Sequence, residues 1–153
     1  LREWEEKGLL TFINDVEINI DVVMEWIQKQ LEKYSFEHLG IDNYRLSLMK
    51  KGLENINIDY ADKDEVTLIR PSDIMKIVPV IDSLFNNHKI VVGDNPLWRW
   101  NANNTCLEPK QNGNFTYGKI DPFRRKNDLF MSSVHAIIAS MDRLEDWSDY
   151  FPW

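Results

Sequence analysis

Cysteine is nearly absent. The single Cys106 in 153 residues leaves no internal disulfide framework and no Cys-rich zinc site, and it fits a reducing compartment. Glycine is sparse and scattered: none of the six sits in a G-x-x-x-x-G-K-[ST] or G-x-G-x-x-G pattern, so no phosphate-cradling loop and no nucleotide motor are expected. The three histidines, His38, His88 and His135, come with no G-x-S-x-G elbow, and none is near Cys106 in sequence, which argues against serine or cysteine nucleophiles. No apolar run approaches the roughly 20 residues of a membrane span, so no membrane partner is expected. The opening LREWEEKG is charged and lacks the apolar segment of a signal peptide. It also lacks a starting Met, which fits a piece of a longer chain. Internal repeats and low-complexity linkers are missing as well.

What remains is an ordinary globular composition, 43% hydrophobic and 28% charged, of a length that suits one domain. The net charge of −7 argues against a general nucleic-acid coat, which would be basic. It leaves room for a local cationic patch, and for carboxylates whose charge is balanced when they hold metal ions.

Along the chain, residues 1–7 read as the end of a helix stopped by Gly8. Leu9 to Ile13 reads as a short strand, and a helix follows from Asn19 or Asp21 to about Tyr34. Phe36 to Ile41 reads as a buried strand that delivers Asp42 to a sheet edge. Asn43 to about Ile56 is helical with Leu46, Met49 and Leu53 on one face, and Gly52 weakens it by about 1 kcal/mol. After a polar loop, Val66 to Ile69 is a third strand. Pro71 and Ser72 open a helix that Pro79 should kink or split. Lys89 to Val92 is a fourth strand ending at Gly93-Asp94, and Asn95-Pro96 starts a short helix to about Asn103. Two strands flank the hairpin signal Gln111-Asn112-Gly113-Asn114. A long helix runs from about Lys126 to Asp146. This alternation predicts an α/β fold with parallel pairing, and a site at the C-terminal ends of the strands, where Asp42 and Asp94 lie.

Carboxylates are the chemistry on offer. Hard divalent cations need only one or two protein carboxylates plus water and phosphate, and two such ions can activate water against a phosphodiester. Asp42 at a strand end and Asp128 at a helix start are of the right type, although an acid at a helix start is also an ordinary cap or dipole partner. Asp128, Ser132, His135 and Asp142 share one face of the last helix, opposite the apolar Phe130, Val134, Ile137 and Met141. His135 either stands behind the metal ligands or touches substrate, or is a surface hydrogen bonder. The run Lys119 to Lys126 (KIDPFRRK) carries four cations and one acid and suits phosphate contacts or a solvated loop. Trp98 and Trp100 beside Arg99 suit base stacking or, more ordinarily, core packing. The tail DWSDYFPW, residues 147–153 and the preceding Asp146, is a docking peptide or a loose end.

Four segments in this order, GIDNYR (40–45), RPSDIMK (70–76), GDNPLWRWNANNT (93–105) and NFTYGKIDPFRRKNDLFMSSVHAI (114–137), resemble the C-terminal nuclease domain of the tailed-bacteriophage terminase large subunit. The resemblance covers most of the chain from about Trp4 to Ile138, with residues 1–146 as the nuclease domain. It implies a ribonuclease H-like α/β fold, a central mixed sheet with flanking helices and a β-hairpin before the last helix. It also implies an endonuclease dependent on Mg²⁺ or Mn²⁺, with two ions, that cuts concatemeric double-stranded DNA during packaging. The small terminase subunit and the portal would be its partners, in the host cytoplasm at the procapsid.

The family's metal aspartates map to Asp42 and Asp128. A further one belongs on a strand upstream of the WxxxG segment, where this sequence begins, so the chain alone is expected to cut poorly or not at all. Leu129 stands where the family usually has Gly, and Ser132 where it often has Ala. Arg124 and Lys126, with Lys119 and Arg125, would neutralise DNA backbone charge. Arg45 would contact the scissile region or pair with an acid. The rival expectations are a non-catalytic docking module for portal, small subunit or DNA, and another ribonuclease H-like enzyme such as a resolvase or transposase.

Overall fold

A computed structural model describes residues 1–141, apart from the Asn112 side chain. The proposed tail at 147–153, the end of the last helix and Asp142 lie outside the described residues. The chain is mixed α/β and divides into two compact units, the first Leu1–Leu68 and the second beginning at Ile69.

The first unit opens with α1 (Arg2–Glu6), which ends as expected: Gly8 takes φ +66°, a left-handed conformation that suits a residue without Cβ. Leu9 to Ile13 is not a strand. It has no pairing partner, and Phe12 and Ile13 are exposed, so its β propensity has nothing to pack against. Asn19 caps α2 (Ile20–Leu31), its side-chain oxygen accepting from the Asp21 N–H at 3.0 Å. Strand β1 (Leu39–Asp42) is followed by a 3-10 turn over Asn43–Arg45 and then α3 (Leu46–Asn55). Strand β2 (Val66–Ile69) is β1's hydrogen-bonded neighbour in a two-stranded sheet, and the division between the units falls near its end. His38 is tied to the segment leading into β2: its ring nitrogens lie 3.0 Å from the Asp64 carbonyl and 2.6 Å from Thr67 Oγ1.

Met24, Ile41, Leu53, Ile58 and Val66 make this unit's core, with Met49, Ile27 and Leu31 packed against it. Gly52 has a second role besides weakening its helix. It is buried against α2, and a Cβ there would lie 2.7 Å from Met24 Cγ. The glycine permits a close helix approach, and the lost helix propensity is the cost of it.

In the second unit, α4 (Pro71–Asn86) begins with Pro at its first position, and the Asp73 carboxylate accepts the Arg70 N–H at 2.9 Å. Pro79 does not split it; the helix runs through. Lys89 to Val92 is irregular rather than the expected strand, with Val91 87% exposed, so Asp94 does not end a strand. Its carboxylate is instead paired with Arg99 at 2.8 Å on the surface. Helix α5 (Pro96–Asn103) is capped by Asn95, whose side-chain oxygen accepts the Trp98 N–H at 3.0 Å.

The predicted hairpin is present: β3 (Thr105–Pro109) and β4 (Phe115–Lys119) pair antiparallel, with Thr105 opposite Lys119 and Pro109 opposite Phe115. Its connection is a 3-10 turn over Gln111–Gly113, with Gly113 at φ +74°. Helix α6 (Asp128–Ser140) follows the loop after β4. Ile77, Ile81, Phe130 and Val134 form the core, flanked by Trp98, Tyr117, Ile137 and Met141, so the apolar face expected of α6 is the one buried. Among the described residues there is no single central sheet and the hairpin is antiparallel; the strands form two separate pairs. Two of the apolar runs that would have extended a sheet did not become strands.

Candidate functional site

The chemistry-bearing residues from Lys119 to Asp128 are assembled by the hairpin, the loop after it and the start of α6. The loop is held by three asparagines buried in spite of their polarity: Asn101, Asn104 and Asn127, at 4%, 1% and 3% exposure. A buried amide is stable only if its donors and acceptors are paired, and here the pairs tie α5 and its C-terminal cap to the loop and α6, and the end of the loop to β4. Asn101 Oδ1 accepts the Leu129 N–H at 3.2 Å, while its Nδ2 donates to the Leu97 carbonyl at 2.9 Å. Asn104 Nδ2 donates to the Lys126 carbonyl at 2.8 Å, its Oδ1 accepts from Arg125 Nη1 at 3.3 Å, and its own carbonyl accepts the Ile120 N–H at 2.9 Å. Asn127 Nδ2 donates to the Gly118 carbonyl at 3.1 Å.

These asparagines shape the candidate site, and sequence reading missed them. The signal available was spacing: residues 97, 101 and 104 fall on one stripe of a 3.6-residue helix, the stripe that turns inward.

Within the loop, Asp121 does the local shaping. Its Oδ1 accepts the Phe123 and Arg124 N–H groups at 3.0 and 3.1 Å, and its carbonyl accepts the Arg125 N–H at 2.9 Å. Arg124, Arg125 and Lys126 are exposed on this turn. Phe123 is 91% exposed at its tip.

Asp128 is the first residue of α6, but its side chain makes no capping bond; Asn127 is the N-cap. The carboxylate is 75% exposed and lies 3.7 Å from Lys119 Nζ, an ion pair worth little at such exposure. The Asp128 carbonyl accepts the Ser132 hydroxyl at 3.0 Å. His135 lies further along α6, half-buried. Trp98 takes the packing role: its ring centroid is 6.0 Å from that of Phe130, and Nε1 donates to Ser133 Oγ at 2.9 Å. That position packs it, partly buried, against the core of this unit.

Asp42 stands at the exposed end of β1, where its Oδ1 accepts the Tyr44 N–H at 2.8 Å and caps the 3-10 turn. The Arg45 guanidinium carbon lies 5.6 Å from the centre of the Tyr44 ring. It lines a shallow recess with Asp15, Glu17 and Asn19. Asp42 and Arg45 belong to the first unit, and Lys119, Arg124, Arg125, Lys126, Asp128 and His135 to the second.

Both aspartates offer exposed oxygen donors, the type that hard divalent ions accept. At Asp128 the nearer oxygen, Oδ1, already has the Lys119 ammonium beside it. Among the described residues no group of three or more His, Cys, Asp or Glu side chains comes together. No described helix is long and apolar enough to cross a membrane. No protein-family model, no curated protein and no solved structure matches this chain.

Proposed function

We propose that this chain is the nuclease portion of a phage DNA-packaging terminase, a metal-dependent endodeoxyribonuclease with a ribonuclease H-like ancestry. What carries the reading is the order and joint spacing of the four segments quoted above. It is supported by the exposed carboxylate of Asp128 standing directly after a cationic loop. Asp42 and Asp128 would hold Mg²⁺ or Mn²⁺, which when bound supplies a more acidic water and charge stabilisation at the phosphate.

The chain's own residues have defined tasks in this reading. Arg124 and Lys126, exposed on the Asp121 turn, neutralise backbone phosphates and fix the register of the duplex. Lys119 occupies Asp128 Oδ1 in the absence of an ion, which offsets part of the repulsion between this acid and an approaching phosphate. The Asn104 tether holds the Lys126 backbone next to the entry of α6, so the phosphate-binding turn and Asp128 move as one piece. Double-stranded DNA, the small terminase subunit and the portal would be the partners, in the host cytoplasm.

The test uses the full chain and Mn²⁺. Nuclear magnetic resonance should show paramagnetic broadening of amides around both Asp42 and Asp128, with Asp42→Asn and Asp128→Asn each removing it around the residue changed. Plasmid nicking by a longer chain carrying either substitution should be lost while the fold is kept. Broadening confined to one aspartate, or nicking indifferent to both substitutions, would leave the docking-module reading instead.

A further inference from the structure

Phe123 is 91% exposed, and the loop holds it in that position. Pro122 fixes the backbone torsion before it. Asp121 accepts the N–H groups of Phe123 and Arg124, so the tip is a closed turn rather than a free strand of chain. The two ends of the loop are tethered by Asn104, through the Ile120 N–H and the Lys126 carbonyl, and by Asn127 through the Gly118 carbonyl. Burying a phenylalanine stabilises a fold, yet this one is held away from the core a few residues from Phe130, which is buried. Arg124, Arg125 and Lys126 follow it directly.

We infer that this loop is a nucleic-acid wedge. Phe123 stacks on an exposed base or enters a base step, while Arg124 and Lys126 pair with the flanking phosphates. The inference deepens the nuclease reading and rests on it for the choice of DNA. The substrate class it adds is DNA that opens easily: single-stranded stretches, or duplex with flexible pyrimidine–purine steps.

A lipid surface fits the same residues less well. One exposed aromatic ring at the loop tip supplies little of the apolar area by which a protein holds to a bilayer. A ring with cations beside it matches the alternation of base and phosphate along a strand. Pre-organisation of the turn lowers the ordering cost of binding.

The experiment measures binding of the full chain to fluorescently labelled DNA in EDTA, so that neither metal nor cleavage enters. Duplex with a central TA step, single-stranded DNA and phosphatidylcholine–phosphatidylserine vesicles are compared. Phe123→Ala should weaken binding to both DNAs about tenfold without changing the slope of affinity against salt, because no phosphate contact is lost. Phe123→Trp should restore it. Arg124→Ala with Lys126→Ala should instead flatten the salt slope.

Equal binding by wild type and Phe123→Ala, failure of Phe123→Trp to rescue, or binding to vesicles but not DNA would overturn the wedge. The two readings separate cleanly. Loss of nicking in Asp128→Asn with binding indifferent to Phe123 keeps the nuclease and removes the wedge. Phe123-dependent binding with no metal site does the reverse.

Discussion

Lys119 Nζ lies 3.7 Å from Asp128 Oδ1, so the last residue of β4 is paired with the first residue of α6. The pair is mostly solvent-exposed on the Asp128 side and contributes little to stability, about 0–1 kcal/mol. In the proposed metal-binding reading its consequence is occupancy: the ammonium sits beside the oxygen that Asp128 would offer to a divalent ion. Lys119→Met should leave the thermal midpoint nearly unchanged and strengthen Mn²⁺ binding at Asp128, measured by titration calorimetry. Unchanged or weaker Mn²⁺ affinity would mean the lysine does not compete with an ion there.

Asn104 should be among the more costly polar residues to remove. Asn104→Ala takes away the bond to the Lys126 carbonyl and the acceptor for Arg125. The expected loss is about 1–3 kcal/mol, since the buried Asn104 amide and the part-buried carbonyl lose their bond. Asn104→Asp should be worse, because it sets a carboxylate oxygen against that carbonyl. Urea denaturation followed by far-ultraviolet circular dichroism measures both.

Gly52 pits helix propensity against packing. Alanine gains about 1 kcal/mol in a helix, but its Cβ would press on Met24 at 2.7 Å from Cγ and 2.9 Å from Sδ, and overpacking costs about 1–3 kcal/mol. Gly52→Ala should therefore destabilise on balance. In a Met24→Ala background the same substitution should stabilise. A double-mutant cycle in urea would show the change of sign.

Tyr117 titrates late. Burial against Phe130, whose ring centre is 5.1 Å away, and secondarily the negative charge of Asp82, push its phenol up to about 12. The unfolded phenol ionises near pH 10, so between roughly pH 10 and 12 the unfolded state binds fewer protons than the folded one, and stability falls as pH rises through that window. Below pH 10 the contribution is complete. Tyr117→Phe should flatten this part of the profile, and ultraviolet titration should find Tyr117 among the last of the five tyrosines to ionise.

Helices were the legible part of this chain, because caps and periodicity are local. Asn19, Pro71, Asn95 and the start of α6 all stand where the sequence signals them. Strands depend on a partner elsewhere, and there the reading erred. Val66 to Ile69 found a neighbour, while Leu9 to Ile13 and Lys89 to Val92, equally apolar, did not. At the site, the acids and cations were visible by residue type. The asparagines that shape it were not, because polarity suggests surface, and only the helical spacing of 101 and 104 hints otherwise. Phe123 read as one letter in a basic run; its exposure belongs to the turn that Asp121 closes.

The asparagine tethers also order events in time. Asn101 lies in α5 and Asn104 caps its C-terminal end, so their amides line up with the loop only once α5 has wound. The cationic turn would then take shape after its template, and Asn104→Ala should speed unfolding while leaving the refolding rate almost untouched.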